Sequence, residues 1–334
     1  MESLSALVDA TAVAVGFSGV VRVDLQGETL IAKAYGLADR AYEIPNTVTT
    51  LFGTASATKG LTALTVMGLV EQGGLALTTT ARSLLGGDLP EIAADVTVEH
   101  LLGHRSGIGD YLDEDELDDI TQYVMRVPVH QLATPEEYLR ALSGHPTAYP
   151  AGDRFAYNNA GYVVLAVLLE RASGVGYHEL VRRSVLEPAG MTDTVFLRSD
   201  ELPARAARGY LARDGLRSNV LHLPVVGVGD GGAYSTAADC HRLWQALQSG
   251  RIVSPETFAL MTAPVSNWPE ESRRYGLGFH LHATGDAAWL EGYDAGVSFT
   301  SLHDPGTQLT YTVIANWSDG AWPLVTLLNE RFGI

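Results

Sequence analysis

Lysine is nearly absent from this chain: two occur in 334 residues, Lys33 and Lys59, beside twenty arginines. Cysteine occurs once, at Cys240, so no internal disulfide can form and nothing marks an oxidising compartment. Positive charge is scarce. Against 39 acidic residues there are 22 basic ones, a net −17, which argues against nucleic acid and anionic membrane surfaces as partners. No apolar run reaches the roughly 18 residues of a membrane-spanning helix, so no membrane partner is expected. The opening Met1-Glu2-Ser3-Leu4 lacks the basic start of a signal peptide, and the interrupted apolar run Ala12–Val21 reads as a first strand. The expected location is the cytoplasm. A secreted chain whose signal had been removed would read the same way.

What is present is the composition of a globular protein, with 46% hydrophobic and 18% charged residues, long enough to bury a substantial core. Phe17–Asp24 and Thr29–Tyr35 are apolar, β-branched runs separated by Leu25-Gln26-Gly27-Glu28, a hairpin pattern. Helical spacing appears from Ser56 to Glu71, stopping at Gly73-Gly74, and again from Tyr162 to Ala172 and from Thr236 to Gln248. Thr97 to Leu102 reads as a short capped helix. The last third alternates: Tyr275–His282, Ala288–Glu291, Gly296–His303 and Gln308–Trp317 read as four strands, followed by a helix from Trp322 to Phe332. Strands at both ends with helices between predict an α/β (α+β) fold. Its antiparallel sheet would be built from both termini and flanked by helices, with a mostly helical region inserted.

Lys59 lies three residues after Ser56, at the start of an apolar helical stretch. That spacing puts the two side chains on one face of a helix, about 5–6 Å apart at Cβ. An amine there can take the proton of the serine hydroxyl, a task closed to arginine, which stays protonated. This is the Ser-x-x-Lys arrangement of serine acyl-transfer enzymes. A solvated lysine near a helix start is the alternative. About a hundred residues on, Tyr157-Asn158-Asn159 follows Pro150-Ala151-Gly152. A tyrosine hydroxyl can shuttle a proton to a leaving group, and an asparagine two positions later can hold substrate or the Lys59 ammonium. A loop tyrosine capping a helix is the alternative there.

Several ordered segments together resemble the serine β-lactamase-related family, which includes class C β-lactamases, D-Ala-D-Ala carboxypeptidases and family VIII esterases. They are Phe17-Ser18-Gly19-Val20-Val21, Ser56–Gly73, His100-Leu101-Leu102-Gly103-His104-Arg105-Ser106-Gly107, Pro150-Ala151-Gly152 through Tyr157-Asn158-Asn159-Ala160-Gly161-Tyr162, Pro188-Ala189-Gly190-Met191-Thr192-Asp193-Thr194 and Gly231-Gly232-Ala233-Tyr234-Ser235-Thr236-Ala237-Ala238-Asp239. The resemblance implies a β-lactamase/transpeptidase-like fold. Residues 1–75 and 230–334 would form a sheet domain and 76–229 a mostly helical one, with the active site between them. It implies Ser56 as the acylated nucleophile, Lys59 and Tyr157 as the proton-transfer pair, and Asn159 as a positioning group. The backbone N–H groups of Ser56 and Tyr293 would form the oxyanion hole.

One family motif differs. The strand that should face the nucleophile carries Trp289-Leu290-Glu291-Gly292-Tyr293, with Gly292 in its expected place. Leu290 stands where the family has a cation or hydrogen-bonding side chain that helps bind a substrate carboxylate, and leucine can do neither. The expectation is therefore a serine hydrolase of esters or amides without a strong carboxylate-recognition cation. One alternative is a β-lactamase or D-Ala-D-Ala carboxypeptidase whose anion site comes from elsewhere, for example an arginine. Another is a catalytically silent binding protein on the same fold. The expected partner is a small-molecule ester, amide or lactam, and oligomeric state is not readable. No cofactor or metal is expected. His280 and His282 lack a third ligand nearby, Asp113–Asp119 lacks the glycine of a calcium loop, and Glu114–Asp118 reads as a solvated acidic loop. There is no Gly-x-Ser-x-Gly and no phosphate-binding glycine loop. His104 reads as structural.

Overall fold

The computed structural model describes residues 3–113, 117 and 119–334. Its centre is an eight-stranded antiparallel sheet. In spatial order the strands are Glu28–Tyr35, Gly19–Leu25, Leu309–Ala315, Val297–Asp304, Ala288–Asp294, His280–His282, Arg273–Tyr275 and Ser266–Trp268. The N-terminal hairpin is thus zipped to the C-terminal strand, with Val21 opposite Val313. No strand of this sheet falls between residues 36 and 265 among the described residues, so the chain leaves the sheet after its first hairpin and returns to complete it. The acidic stretch Glu114–Asp118, apart from Leu117, lies outside the described residues.

Burial on both faces explains the composition of the middle strands. Val297–Asp304 and Leu309–Ala315 are buried almost continuously, as expected of strands covered on two sides. On one face Val8, Ala12, Leu324 and Leu328 bring the terminal helices Leu4–Val15 and Trp322–Phe332 into a core with Val21, Val23 and Val313. On the other face lies the helix Thr58–Glu71, sandwiched between the sheet and the helix Asn159–Ser173. Every residue from Thr58 to Gly68 is buried, the mark of a helix with no solvent face.

Two sequence expectations are corrected. Ala12–Val21 is not one strand: Ala12–Val15 ends the first helix, and the strand begins at Gly19. Ser3 caps that helix by accepting from Ala6 N–H, and Gly16 stops it at a φ of 64°, so local capping overrides the apolar run. Likewise Tyr275–His282 is broken at Gly276-Leu277-Gly278 into two paired strands, with Tyr275 opposite His280. Together with Ser266–Trp268, the last third supplies six strands of the sheet rather than four. The helices expected at Thr97, Tyr162, Thr236 and Trp322 are present, with Thr97 and Thr236 as the capping side chains. No helix among the described residues is long and apolar enough to cross a membrane.

Candidate active site

Ser56 sits in a single 3-10 turn, Ala55–Ala57, immediately before the buried helix. The turn is held from several sides. Thr58 Oγ1 donates to Ala55 O at 2.8 Å and accepts from Ala233 N–H at 3.0 Å, while Thr54 Oγ1 donates to Ala233 O at 2.9 Å. Ala55 has a φ of 46°, a left-handed conformation costly for a residue with a Cβ, typically of order 1–3 kcal/mol. That strain is carried by the residue next to the candidate nucleophile.

Lys59 lies in the first turn of the helix that follows, three residues on from Ser56, a spacing that puts the two side chains on one face. Lys59 is 2% exposed, and its Nζ donates to Ser56 Oγ at 2.8 Å, Asn159 Oδ1 at 2.7 Å and Asp230 O at 2.8 Å. Three acceptors meet the three N–H bonds of an ammonium. The same Nζ lies 4.9 Å from the ring centroid of Tyr157, over its face. Four residues distant in sequence (Ser56, Lys59, Tyr157 and Asn159) are therefore brought into one cluster, together with a backbone carbonyl that sequence reasoning did not single out.

Two of the three partners of Lys59, Asn159 and Asp230, are anchored by one short segment. Asp110 accepts from the backbone N–H groups of Asn159 at 2.5 Å and Ala160 at 3.0 Å, at the start of the helix Asn159–Ser173, where a carboxylate is favoured. Burial pushes the Asp110 carboxyl up to about 7, against the pull of those N–H donors and Lys59. Its neighbour Tyr111 donates to the carboxylate of Asp230, whose carbonyl receives Lys59. Burial raises the pKa of Asp230, and the charge of Lys59 and the Tyr111 hydroxyl act against it. Asp110, Tyr111 and Asp230 belong to no motif that the sequence announces. The signal that could have found Asp110 is its place shortly after the Ser106-Gly107 turn, in a buried rather than acidic stretch.

Tyr157 is fixed by aromatic neighbours. His104 lies against it at 4.4 Å between centroids, Trp268 stacks at 5.9 Å and His280 at 6.4 Å. His104 Nδ1 accepts from Asn158 N–H at 3.0 Å, which leaves its Nε2 to donate to Tyr275 Oη at 3.2 Å. Burial first, then the Lys59 charge, holds the His104 pKa well below its ordinary value, so the ring is neutral. His280 is held down in the same way by burial and by Arg273. Arg273 itself is engaged by Glu291 at 2.7 Å and Glu271 at 2.9 Å. Among the described residues no group of three His, Cys, Asp or Glu could hold a metal ion.

On the strand Ala288–Asp294, Gly292 passes so close to the turn that a Cβ there would lie 2.1 Å from Thr54 O and 3.1 Å from Ser56 N. Only glycine permits that approach, which brings the Tyr293 peptide near Ser56. Leu290 shares the inward face but presses on Gly60, whose Cβ position is 2.4 Å from Leu290 Cδ2, and it is 5% exposed. A cleft with about 880 Å³ of empty space, open mouth included, begins at Ser56 and Ala55. Its wall is largely apolar, with Leu112, Ile120, Met125, Leu197, Leu223 and Val225. Leu290 packs behind this lining rather than in it.

The chain is similar to known proteins. A profile of the Beta-lactamase family matches residues 4–327, and the chain belongs to that family. It is 31% identical to esterase EstB of Burkholderia gladioli over 269 residues, 72% of this chain and 68% of that protein. It is 27% identical to penicillin-binding protein 4* of Bacillus subtilis (strain 168) over 298 residues, 84% of this chain but 63% of that protein. The chain thus spans less than two-thirds of the length of the first curated relatives it matches. The crystal structure of a penicillin-binding protein from Bacillus halodurans superposes with a TM-score of 0.90 at 33% identity, covering 97% of this chain and 99% of that one. The mixed α/β fold with its large antiparallel sheet is the penicillin-binding/β-lactamase fold.

Proposed function

We propose that the protein is a serine hydrolase that forms an acyl-enzyme on Ser56 and acts on esters or amides. The observation that carries this reading is the hydrogen bond between Lys59 Nζ and Ser56 Oγ inside a buried cluster that also includes Tyr157 and Asn159. Ser56 Oγ attacks the substrate carbonyl while its proton passes to the Lys59–Tyr157 pair. The N–H groups of Ser56 and Tyr293 receive the oxyanion. The pair returns the proton to the leaving oxygen or nitrogen, and the alcohol or amine departs. Water then enters by the same route in reverse, its proton moving to the pair and on to Ser56 Oγ as the acid is released. Asn159 and Asp230 O orient Lys59, and Gly292 sets the distance between the hole and the nucleophile. Residues 1–75 and 230–334 would act as the sheet domain and 76–229 as the helical domain, with the site at their junction.

Leu290, buried behind the cleft lining, offers a substrate carboxylate no partner, and the lining holds no lysine or arginine among the described residues, which together favour neutral over carboxylate-bearing substrates. A charge-assisted hydrogen bond to a carboxylate contributes roughly 1.5–3 kcal/mol, or about ten- to a hundredfold. The test compares kcat/KM for two short acyl esters that differ only in a free or methylated carboxylate, on wild type and Ser56→Ala. The expected result is turnover of the methylated ester at least as fast as the free acid, and loss of both in Ser56→Ala. Tenfold preference for the free acid would support a β-lactamase or carboxypeptidase with its anion site elsewhere. Undiminished turnover by Ser56→Ala would rule out the nucleophile.

A further inference from the structure

The strand Ala288–Asp294 turns alternate side chains to opposite faces. Leu290 and Gly292 face the nucleophile turn and its helix, so Trp289 and Glu291 face away from them. On that far face lies a second cleft, also of about 880 Å³ with its open mouth included. Across the neighbouring strands Leu302 sits opposite Trp289, Thr300 opposite Glu291 and Tyr311 opposite Leu302, and these residues form the floor. The helix Trp322–Phe332 forms a wall, where Trp322, Val325, Thr326 and Asn329 follow the i, i+3, i+4, i+7 spacing of one helix face.

The polar groups of this cleft are held in place without being used up. Arg273 Nη1 donates to Glu291 Oε1 at 2.7 Å and Nη2 donates to Glu271 Oε2 at 2.9 Å, while the guanidinium lies 5.5 Å from the Trp289 ring centroid. Among the described residues Arg273 is the only arginine or lysine of the lining. Its pairing leaves Glu291 Oε2 as an acceptor. Tyr311 Oη donates to Asn329 Oδ1 at 2.6 Å, which leaves the Asn329 amide N–H groups to donate. Thr300 is 2% exposed, and its Oγ1 has no hydrogen-bond partner among the described residues. A buried hydroxyl is costly to leave unmet, so the floor calls for a ligand with polar atoms.

We infer that this cleft binds a neutral sugar, a pyranose ring or a short saccharide, at a site separate from Ser56. Other ligand classes fit worse. An anion would meet Glu271 and Glu291, with Arg273 already held between them. A cation would have to displace Arg273 from the same carboxylates. A wholly apolar ligand would bury Thr300 Oγ1, Glu291 Oε2 and the Asn329 amide without partners. A sugar ring offers C–H faces to the indoles of Trp289 and Trp322, and hydroxyls that both donate and accept. Those hydroxyls match an acceptor at Glu291, a donor at Asn329 and a group of either kind at Thr300. The inference stands apart from the hydrolase reading of Ser56.

The experiment titrates the full chain with methyl β-glucopyranoside, methyl β-galactopyranoside, cellobiose and maltose, and with tetramethylammonium chloride and sodium citrate as the cation and anion arms. The readouts are tryptophan fluorescence and the heat of binding. Saturable binding of at least one sugar, tighter than that of either ion, is expected. Thr300→Val keeps the side-chain shape and removes a hydroxyl that has no partner in the protein, so folding is not at risk. It should weaken the sugar about two- to tenfold. Thr326→Arg adds bulk at an exposed position of the wall and should abolish saturable binding. No saturable binding of any of these sugars overturns the inference. So does an affinity that neither variant changes, which would put the sugar elsewhere on the molecule. Tighter binding of either ion, lost in Thr326→Arg, would assign the cleft to a charged ligand and overturn it as well.

Discussion

At the scale of single residues, Lys59 carries the most. Its Nζ is held by Ser56 Oγ, Asn159 Oδ1 and Asp230 O in a pocket that leaves it 2% exposed. Lys59→Arg keeps the charge but cannot give up its proton and has no room for a planar fork. Acylation should slow by on the order of a hundredfold or more, measured as the single-turnover rate with an activated ester. A wild-type rate would make Lys59 an electrostatic fixture and leave Tyr157 as sole base. Gly60, the next residue, meets Leu290 from the facing strand. Gly60→Ala should therefore cost about 1–3 kcal/mol in denaturant unfolding, because a Cβ there lies 2.4 Å from a buried side chain that must repack. An unchanged midpoint would show that Leu290 has room to yield.

At the scale of elements, the segment Asp110-Tyr111 joins two of the three partners of Lys59, Asn159 and Asp230. Asp110 holds the first turn of the helix Asn159–Ser173, and Tyr111 holds Asp230. Asp110→Ala should destabilise by roughly 0.5–2 kcal/mol, the usual range for loss of a helix cap, and should also lower the acylation rate because Asn159 loses its register. Asp110→Asn keeps one acceptor oxygen and should recover part of both losses. Loss of stability with acylation untouched would confine Asp110 to a purely structural role. The elements also show how far the sequence could be read. Capped, periodic segments such as Ala237–Gln248 and the strand pair Val297–Asp304 and Leu309–Ala315 were visible from pattern alone, as was the spacing of Ser56 and Lys59. The first helix was not, because its apolar residues run into the strand and only Ser3 and Gly16 mark its ends. Asp110 and Asp230 were also missed. Their role comes from the groups they meet across the chain, the Asn159 N–H 49 residues from Asp110 and the Tyr111 hydroxyl 119 residues from Asp230, and no local pattern encodes that.

At the scale of the whole molecule, the site is a place where buried groups depart from their ordinary ionisation. His104 is neutral in the fold, with its pKa lowered by burial. A histidine depressed in the native state binds fewer protons there than in the unfolded chain. Its contribution to stability is complete above the unfolded value of about 6.5 and is lost as pH falls below it. His104→Gln keeps an acceptor but does not titrate. The wild type should lose up to about 1.4 kcal/mol per pH unit more than the variant between pH 6 and 5, read from urea midpoints at each pH. Parallel pH profiles would mean that His104 is not held neutral. The central claim, that this fold is used to acylate Ser56, is tested most directly by quenching the protein during turnover of an activated short acyl ester and locating the added mass by peptide mapping. The account predicts one acyl group on the peptide containing Ser56, and none in Ser56→Ala. An adduct on another residue, or turnover without any adduct on Ser56, would contradict it.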